Sequence, residues 1–136
     1  MNGYVANIEK LALSNSDFRH VLYTGHNLQL VLMSLAPGED IGSEVHRDRD
    51  QFFRVERGTA EVVIDGHSHE VADGSAIVVP AGSRHNVINK GNAPLKLYTI
   101  YGPPNHVDQL IEKTKAEALA SSEKFVGSTT ESNADA

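Results

Sequence analysis

Short apolar runs follow one another along most of the chain, starting near Arg19. The runs are rich in Val, Ile, Leu, Phe and Tyr, and Gly, Asp-Gly or Pro separates them at short intervals: RHVLYTG, LQLVLMSL, QFFRVERG, AEVVIDG, HSHEVADG, AIVVPAG, HNVIN and LKLYTIYG. Such runs are typical of β-strands, and their regular spacing indicates an antiparallel barrel or sandwich. The pattern therefore predicts an all-β fold for the central part of the chain.

Two features of these runs predict finer detail. Asp65-Gly66 lies between AEVVI and HSHEV, and these residue types tolerate the positive φ angles of a two-residue hairpin turn. Phe53 and Val55 have the same parity as Gln51 in one run. We expect these three side chains to share a face, with the two apolar ones lining the barrel interior.

The periodicity changes after Pro103-Pro104. Apolar residues then recur at helical spacing, which predicts a helix of about twelve to sixteen residues. The last ten residues, GSTTESNADA, are small and polar, so we expect that segment to be disordered. The predicted organisation is an N-terminal arm or strand (1–25), a single β-barrel (26–104), a C-terminal helix (105–121) and a disordered tail (122–136).

Length and composition limit the classes of function. The 136 residues fit one domain, and because the chain has no cysteine, a metal ion would need nitrogen and oxygen ligands. The N-terminus lacks a secretory signal, and no apolar run approaches the roughly eighteen residues of a membrane span. A net charge of −6 without a Lys/Arg cluster argues against binding nucleic acid or anionic membranes. We expect a cytoplasmic protein with a small-molecule ligand or substrate.

One block of the sequence contains several residue types that bind metal ions. It follows the pattern Gly38-x5-Glu44-x-His46-x4-Gln51-x6-Gly58. Residues two apart in a strand share a face, so Glu44 and His46 project to the same side and can bind one ion. Gln51 follows after a bend and adds an amide oxygen.

A second block supplies a further histidine. It follows the pattern Gly74-x5-Pro80-x-Gly82-x2-His85-x3-Asn89. His85 lies at the start of a predicted strand, and antiparallel pairing can bring it close to the first block. The glycines are expected at turns, where a positive φ angle is required.

The two blocks resemble the paired motifs of the cupin superfamily, G-x5-H-x-H-x3,4-E-x6-G and G-x5-P-x-G-x2-H-x3-N. The second block matches every fixed position, whereas Glu44 and Gln51 stand where the first family motif has histidine and glutamate. The resemblance extends from Leu28 to Tyr101. It implies a double-stranded β-helix, also called a jelly-roll barrel, and a homodimer, since many cupins are dimers. The chain is similar to the compact single-domain bacterial cupins that are likened to the cupin part of phosphomannose isomerases.

We expect Glu44, His46, Gln51 and His85 to form one metal site near the mouth of this barrel. Oxygen and imidazole ligands suit Mn²⁺, Fe²⁺, Zn²⁺ or Ni²⁺, and the sequence does not choose among these ions. Glu44 alone is negatively charged when both histidines are neutral, so a divalent ion would leave the site with a net positive charge. Such a centre can polarise a carbonyl group or acidify a water molecule.

Asp48, Asp50 and Tyr101 are further candidates for a catalytic role. Asp48 and Asp50 continue the alternation from His46, so their carboxylates are candidates for a base beside the ion. The run HRDRD also has the composition of a solvated loop. Tyr98 and Tyr101 lie on the strand after the second block. Either ring can pack in the core, and one of the two can instead place its hydroxyl in the pocket.

The remaining histidines show no metal-site pattern with a third ligand. His67 and His69 follow a tight turn on an outer hairpin. His20, His26 and His106 belong to no motif, and we expect them at the surface or at an interface.

Three functions remain open at this point. The first is a small metal-dependent enzyme that uses the ion as a Lewis acid, similar to an isomerase acting on a sugar or another oxygen-rich metabolite. The second is a metal-dependent dioxygenase on the same scaffold. The third is a non-enzymatic cupin that binds a small ligand with an altered or empty metal site. The sequence contains no nucleotide-binding glycine motif and no serine-hydrolase motif.

Overall fold

Strands dominate the computed structural model, which describes residues 1–134. The strands are β1 (Arg19–Thr24), β2 (Gln29–Leu35), β3 (Glu44–Val45), β4 (Asp50–Arg57), β5 (Ala60–Ile64), β6 (His67–Val71), β7 (Ala76–Val79), β8 (Arg84–Asn89), β9 (Leu95–Gly102) and β10 (Ile111–Glu112). The helices are α1 (Ile8–Ser14), α2 (Lys115–Ala120) and α3 (Thr130–Ala134). None of the helices in this part of the chain has the length and hydropathy to cross a bilayer.

The strands form two antiparallel sheets. The larger sheet has the order β10-β1-β2-β9-β4-β7, and the smaller has the order β3-β8-β5-β6. Asp65 and Gly66 have φ angles of 47° and 81°, so the predicted tight turn joins β5 to β6. This architecture confirms the predicted all-β jelly roll.

The apolar core lies between the sheets because alternate residues of each strand point inward. In β9, Leu95 and Tyr101 are at the two ends of a row in which every second residue is buried. Phe53 and Val55 of β4 are completely buried, and Val62 of β5 belongs to the same cluster. Truncating a buried phenylalanine such as Phe53 to alanine typically costs about 3–5 kcal/mol, so these rows hold the metal-site strands in place.

The N-terminal arm contains a helix as well as a strand. The side chain of Asn7 accepts a hydrogen bond of 3.0 Å from the backbone N–H of Lys10 and caps α1. The helix contacts β2, β4 and β9, and Ala12 is completely buried. The arm therefore packs on this chain's own larger sheet.

The helix predicted for 105–121 is shorter and begins later than expected. Ile111 and Glu112 form β10 at the edge of the larger sheet, opposite Arg19 and His20 of β1. Pairing with an open sheet edge therefore overrides the helical spacing of the apolar residues. Helix α2 starts after Thr114, whose hydroxyl accepts from the N–H of Glu117 in a capping box.

The tail predicted to be disordered makes specific contacts in its described part. The hydroxyl of Thr130 accepts a hydrogen bond of 2.7 Å from the N–H of Thr24. Tyr23 donates its hydroxyl hydrogen to Glu131 Oε2 over 2.6 Å. These contacts provide hydrogen-bond partners for backbone and side-chain groups at the end of β1. The composition of the tail alone does not indicate such contacts. Asp135 and Ala136 lie outside the described residues.

Candidate metal centre

Pairing between β3 and β8 brings the two sequence blocks together. Glu44 lies directly opposite His85 in the register of these strands, and His46 follows two residues after Glu44. One ligand atom from each of the three side chains lies within 4.8 Å of the others. The strand alternation and this register therefore produce a compact cluster with one carboxylate and two imidazoles.

His85 is the buried member of the cluster. Its Nδ1 lies 3.2 Å from the carbonyl oxygen of Ser83, and its Nε2 lies 3.1 Å from Gln51 Oε1. Burial lowers the pKa of His85 and outweighs the opposing effect of the Ser83 carbonyl, so the neutral ring is favoured. A neutral ring has one N–H, whereas Ser83 O and Gln51 Oε1 are both acceptors, so only one of the two contacts is a hydrogen bond. With the hydrogen at Nδ1, the Nε2 lone pair faces Gln51.

A hydrogen-bond chain fixes the orientation of the Gln51 amide. Thr99 donates its hydroxyl hydrogen to the carbonyl of Phe52 over 2.8 Å, and it accepts from Gln51 Nε2 over 3.0 Å. The amide oxygen of Gln51 therefore points toward His85. Two electron-pair donors, Gln51 Oε1 and His85 Nε2, face each other, and this arrangement is favourable when a cation lies between or beside them.

Glu44 and His46 are close to each other without forming a hydrogen bond of good geometry. Glu44 Oε2 lies 2.9 Å from His46 Nε2, yet Nε2 is a buried nitrogen without a hydrogen-bond partner. Burial opposes the ionisation of Glu44, but His46 and Arg19 together hold its pKa below the ordinary value. An ionised carboxylate beside an unpaired ring nitrogen is a suitable donor pair for a metal ion.

The donor set fits a divalent cation. Glu44, His46 and His85 provide one oxygen and two nitrogens, and Gln51 adds an amide oxygen at the His85 side. Such mixed oxygen and imidazole ligands suit Mn²⁺, Fe²⁺, Zn²⁺ and Ni²⁺. The donor types do not distinguish among these ions.

Aromatic rings surround the two imidazoles. The ring centroid of Tyr101 lies 5.7 Å from that of His46 in an edge-to-face arrangement, and the Phe53 centroid lies 6.2 Å from that of His85. Both aromatic residues are buried. They limit water on the inner side of the centre and hold the imidazoles in position.

Tyr101 is linked to a buried histidine that the sequence pattern placed at the surface. His106 is 6% exposed, and its Nδ1 lies 3.1 Å from Glu123 Oε2. Because a carboxylate only accepts, His106 donates from Nδ1, and its Nε2 accepts from the Tyr101 hydroxyl at 3.1 Å. Burial raises the pKa of Tyr101 far above its ordinary value. Tyr101 is therefore a neutral group whose hydrogen is already donated, as suits a positioning role.

The position of His106 depends on contacts with residues that are far away in the sequence. The backbone N–H of His106 donates to Gln29 Oε1 over 2.9 Å. Glu123 also accepts from the N–H of Val107 over 2.8 Å. No local motif contains these partners, so the sequence offered no signal for the buried position of His106. Our expectation of a surface or interface residue was wrong for this histidine, which is buried within its own chain.

The two aspartates that were candidates for catalysis are exposed, Asp48 in the turn after His46 and Asp50 at the start of β4. The Asp48 side chain is 74% exposed and forms an ion pair of 2.8 Å with Arg49. Asp50 accepts a hydrogen bond of 2.8 Å from the N–H of Ala81, which ties β4 to the turn before β8. Neither aspartate belongs to the cluster at the metal centre.

The other histidines lie away from this cluster. His67 and His69 are exposed on β6, and His67 Nδ1 lies 3.3 Å from the carbonyl of Ile64. His26 is exposed, and His20 Nδ1 lies 3.4 Å from Asp17. The placement of these four residues agrees with their assignment to the surface.

A cavity of about 180 Å³ adjoins the centre on the side of Glu44. Its polar lining includes Arg19, Glu44, His106, Glu112, Lys115 and Glu123. Helix α2 and the segment that follows it form part of the wall. The C-terminal region therefore helps to form the space through which a small molecule would reach Glu44.

Comparisons with known proteins agree with this fold. The family model described as "Cupin domain" matches residues 31–101. The uncharacterized protein YrkC of Bacillus subtilis is 51% identical over 124 residues, which are 86% of this chain and 66% of that protein. This chain thus spans slightly less than two thirds of YrkC.

Two solved structures extend the comparison. The crystal structure of BH2720 from Bacillus halodurans is 47% identical with a TM-score of 0.87, over 88% of this chain and 96% of that one. A sugar phosphate isomerase of the cupin superfamily from Silicibacter pomeroyi is 25% identical with a TM-score of 0.56, over 66% of this chain and 63% of that one. The matched family model covers both sequence blocks and all four residues of the candidate centre. This chain belongs to the cupin family.

Proposed function

We propose that this protein is a metal-dependent enzyme that uses a divalent ion as a Lewis acid on a small oxygen-rich metabolite. The observation that carries the proposal is the convergence of Glu44, His46 and His85 within 4.8 Å. His46 Nε2 lies beside Glu44 without a hydrogen bond of good geometry, and Gln51 Oε1 lies 3.1 Å from His85 Nε2. Both contacts support the proposal, because an ion at this place would account for them.

Each residue of the candidate centre would have a separate role. Glu44, His46 and His85 hold the ion, and Gln51 presents an amide oxygen that Thr99 keeps in place. When bound, the ion supplies Lewis acidity that polarises a carbonyl oxygen of the substrate. This chemistry suits an isomerase-like reaction, in which the carbon next to a carbonyl group loses a proton, the former carbonyl carbon gains one, and the neighbouring hydroxyl becomes the new carbonyl.

The similarity to a sugar phosphate isomerase of the cupin superfamily supports this reaction class. That similarity is 25% in sequence and covers 66% of this chain. It makes carbonyl compounds with a neighbouring hydroxyl group the first substrates to test. We also propose a cytoplasmic location, where such metabolites are available.

Hydrogen exchange in heavy water tests the reaction class. Metal-loaded protein is incubated in D₂O with a panel of 2-hydroxy aldehydes and 2-hydroxy ketones, and NMR follows deuterium at the carbon next to the carbonyl. We expect exchange or isomerisation of at least one compound, with loss of both in His46→Ala/His85→Ala. The matched control is His67→Ala/His69→Ala, which removes the exposed His-x-His pair and should keep full activity.

Other outcomes would favour the remaining functions. Oxygen consumption without deuterium exchange would replace the isomerase proposal with a dioxygenase. Saturable binding without turnover would indicate a ligand-binding cupin. Equal activity in both double variants would contradict a role of the centre.

We further propose that the protein forms a homodimer through the outer face of the larger sheet. Phe52 pairs in register with Val78 on one side and with Ile100 on the other, and Ile100 pairs with Leu30. These four side chains form an apolar row across four strands, and Val78 is 65% exposed. A second copy of the chain would bury this row, as the dimers of many cupins lead us to expect.

A further inference from the structure

A buried arginine lies in the cavity beside the candidate metal centre. Arg19 is the first residue of β1, and its side chain is only 9% exposed. It lines the cavity of about 180 Å³ together with Glu44. Its guanidinium pairs with Glu112, which lies in the same wall. Arg19 is therefore a buried cation of this space.

The guanidinium group has donor capacity that this chain does not use. Nη1 donates to Glu112 Oε1, whereas Nε is buried without a hydrogen-bond partner. Among the described residues, this guanidinium donates a hydrogen bond to Glu112 alone. An arginine side chain has five N–H donors in a planar group that matches a carboxylate. A buried arginine with unused donors is a suitable anchor for an anionic ligand.

The charges around the cavity favour a ligand with one negative charge over a ligand with two. Lys115 in the lining is paired with Asp40, which leaves Arg19 and three carboxylates, Glu44, Glu112 and Glu123. With a divalent ion at Glu44, the net charge of these four groups and the ion is zero. A monoanion then places one negative charge beside Arg19, whereas a phosphate ester would place two negative charges in a confined space.

The size and the apolar wall of the cavity favour a small organic molecule. A volume of about 180 Å³ corresponds to about six water molecules at the liquid volume of about 30 Å³ each. Phe18, Ile41 and Leu119 contribute apolar surface to the same space. A short carbon chain with one acidic group satisfies both the apolar and the charged parts of the wall.

We propose that Arg19 binds the negatively charged group of a small, singly charged organic acid in this cavity, next to the metal centre. The inference rests on the proposed metal-dependent function and narrows its substrate class from oxygen-rich metabolites to small monoanionic acids. Arg19 is the specificity-determining residue, since it recognises the charge of the ligand and does not take part in holding the ion.

Binding of two matched probes tests this inference. Isothermal calorimetry on the full chain loaded with Zn²⁺ compares pyruvate, a monoanion, with pyruvamide, its neutral amide of nearly the same size. Glycerol 1-phosphate at about pH 8 provides a ligand with two negative charges. We expect pyruvate to bind at least about tenfold more tightly than either of the other two, and only to the metal-loaded protein.

A pair of double variants assigns the effect to Arg19. Arg19→Met/Glu112→Gln removes both members of the buried ion pair, so that no unpaired charge is left inside the fold. The matched control is Arg54→Met/Glu56→Gln, which removes an ion pair of 3.4 Å on β4, where residues of this parity point away from the core. We expect about a tenfold loss of pyruvate affinity in the first variant and no change in the second.

The outcomes separate this inference from the proposed function. Metal content is measured by mass spectrometry on every sample before the titration. Zn²⁺ uptake with equal affinity for pyruvate and pyruvamide in the unaltered protein would overturn the role of Arg19 and leave the metal centre standing. Equal loss of pyruvate affinity in both double variants would also overturn it. A protein that takes up no metal would overturn both proposals.

Discussion

At the scale of single residues, the candidate centre depends on how neighbouring groups orient each donor atom. His85 Nδ1 contacts the carbonyl of Ser83, and Thr99 turns the amide oxygen of Gln51 toward His85 Nε2. His85 and Gln51 are thus each held by a contact that does not involve the ion. Such preorganisation reduces the reorganisation that metal binding would require.

Gln51→Glu tests the contribution of the position that departs from the family motif. A carboxylate binds a divalent cation more strongly than a neutral amide, so we expect metal affinity to increase by about tenfold or more. Competition with a chelator at neutral pH measures this change. Asn92→Asp, which makes the same chemical change in an exposed loop, is the control and should leave the affinity unaltered. Unchanged affinity in Gln51→Glu would mean that residue 51 lies outside the coordination sphere.

The proximity of the cluster residues could be predicted from the sequence, but their surroundings could not. Glu44 and His46 share a face because strand residues alternate, and the two-block pattern placed His85 near them. The burial of His106 and the cavity charge of Arg19 depend on partners in β2, β10 and the C-terminal segment. The spacing of residues along the chain does not reveal such contacts.

At the scale of elements, the C-terminal segment is attached to β9 through a buried polar chain. The Tyr101 hydroxyl, the His106 ring and the Glu123 carboxylate follow one another at distances of 3.1 Å. Burial would raise the pKa of Glu123, but His106 and the N–H of Val107 hold it below the ordinary value. These hydrogen bonds connect β9, which pairs with the Gln51 strand β4, to the wall of the cavity.

The polar chain predicts how stability depends on pH. Burial lowers the pKa of His106 in the folded state below its ordinary value of 6.5, so the unfolded chain binds more protons in mildly acidic solution. The free energy of unfolding should therefore decrease between about pH 7 and pH 5. Burial of His85 acts in the same direction. Urea denaturation at the two pH values measures the effect.

His106→Gln isolates the contribution of this histidine. Glutamine keeps a donor and an acceptor but does not titrate, so the decrease in stability should be smaller than in the unaltered protein. His26→Gln removes an exposed histidine and serves as the control. A decrease of the same size in His106→Gln and in the unaltered protein would contradict the assignment.

The elements themselves were predictable to different degrees. Period-two runs and the Asp65-Gly66 turn identified the strands of the barrel, because inward residues of a sandwich must be apolar. Val107, Leu110 and Ile111 have helical spacing, yet Ile111 lies in β10 because the edge of β1 offers free backbone groups. Sequence periodicity does not reveal which sheet edge is open.

At the scale of the whole molecule, the outer face of the larger sheet is the surface at which we propose that two copies pair. Helix α1 packs on this sheet, while Val78 at its edge strand remains exposed. The larger sheet also contains Gln51 in β4, so pairing of two copies through this face would stabilise a strand of the metal centre. The proposed dimer would thus support the site without supplying a ligand to it.

Val78→Lys tests the proposed dimer. A charged side chain buried in an apolar interface is costly, so we expect the molecular mass measured by light scattering to fall to that of a monomer. Val126→Lys places the same change at another exposed valine and should keep the dimer. A monomer in the unaltered protein, or a dimer that survives Val78→Lys, would contradict the proposed interface.

The metal content of the purified protein tests the central claim most directly. The protein is prepared without a chelator or a histidine tag, and the bound ion is measured by mass spectrometry beside His46→Ala/His85→Ala and His67→Ala/His69→Ala. We predict close to one divalent ion per chain in the parent and in the second variant, and loss of the ion in the first. A parent that stays empty after incubation with Mn²⁺, Fe²⁺, Ni²⁺ and Zn²⁺ would contradict the account.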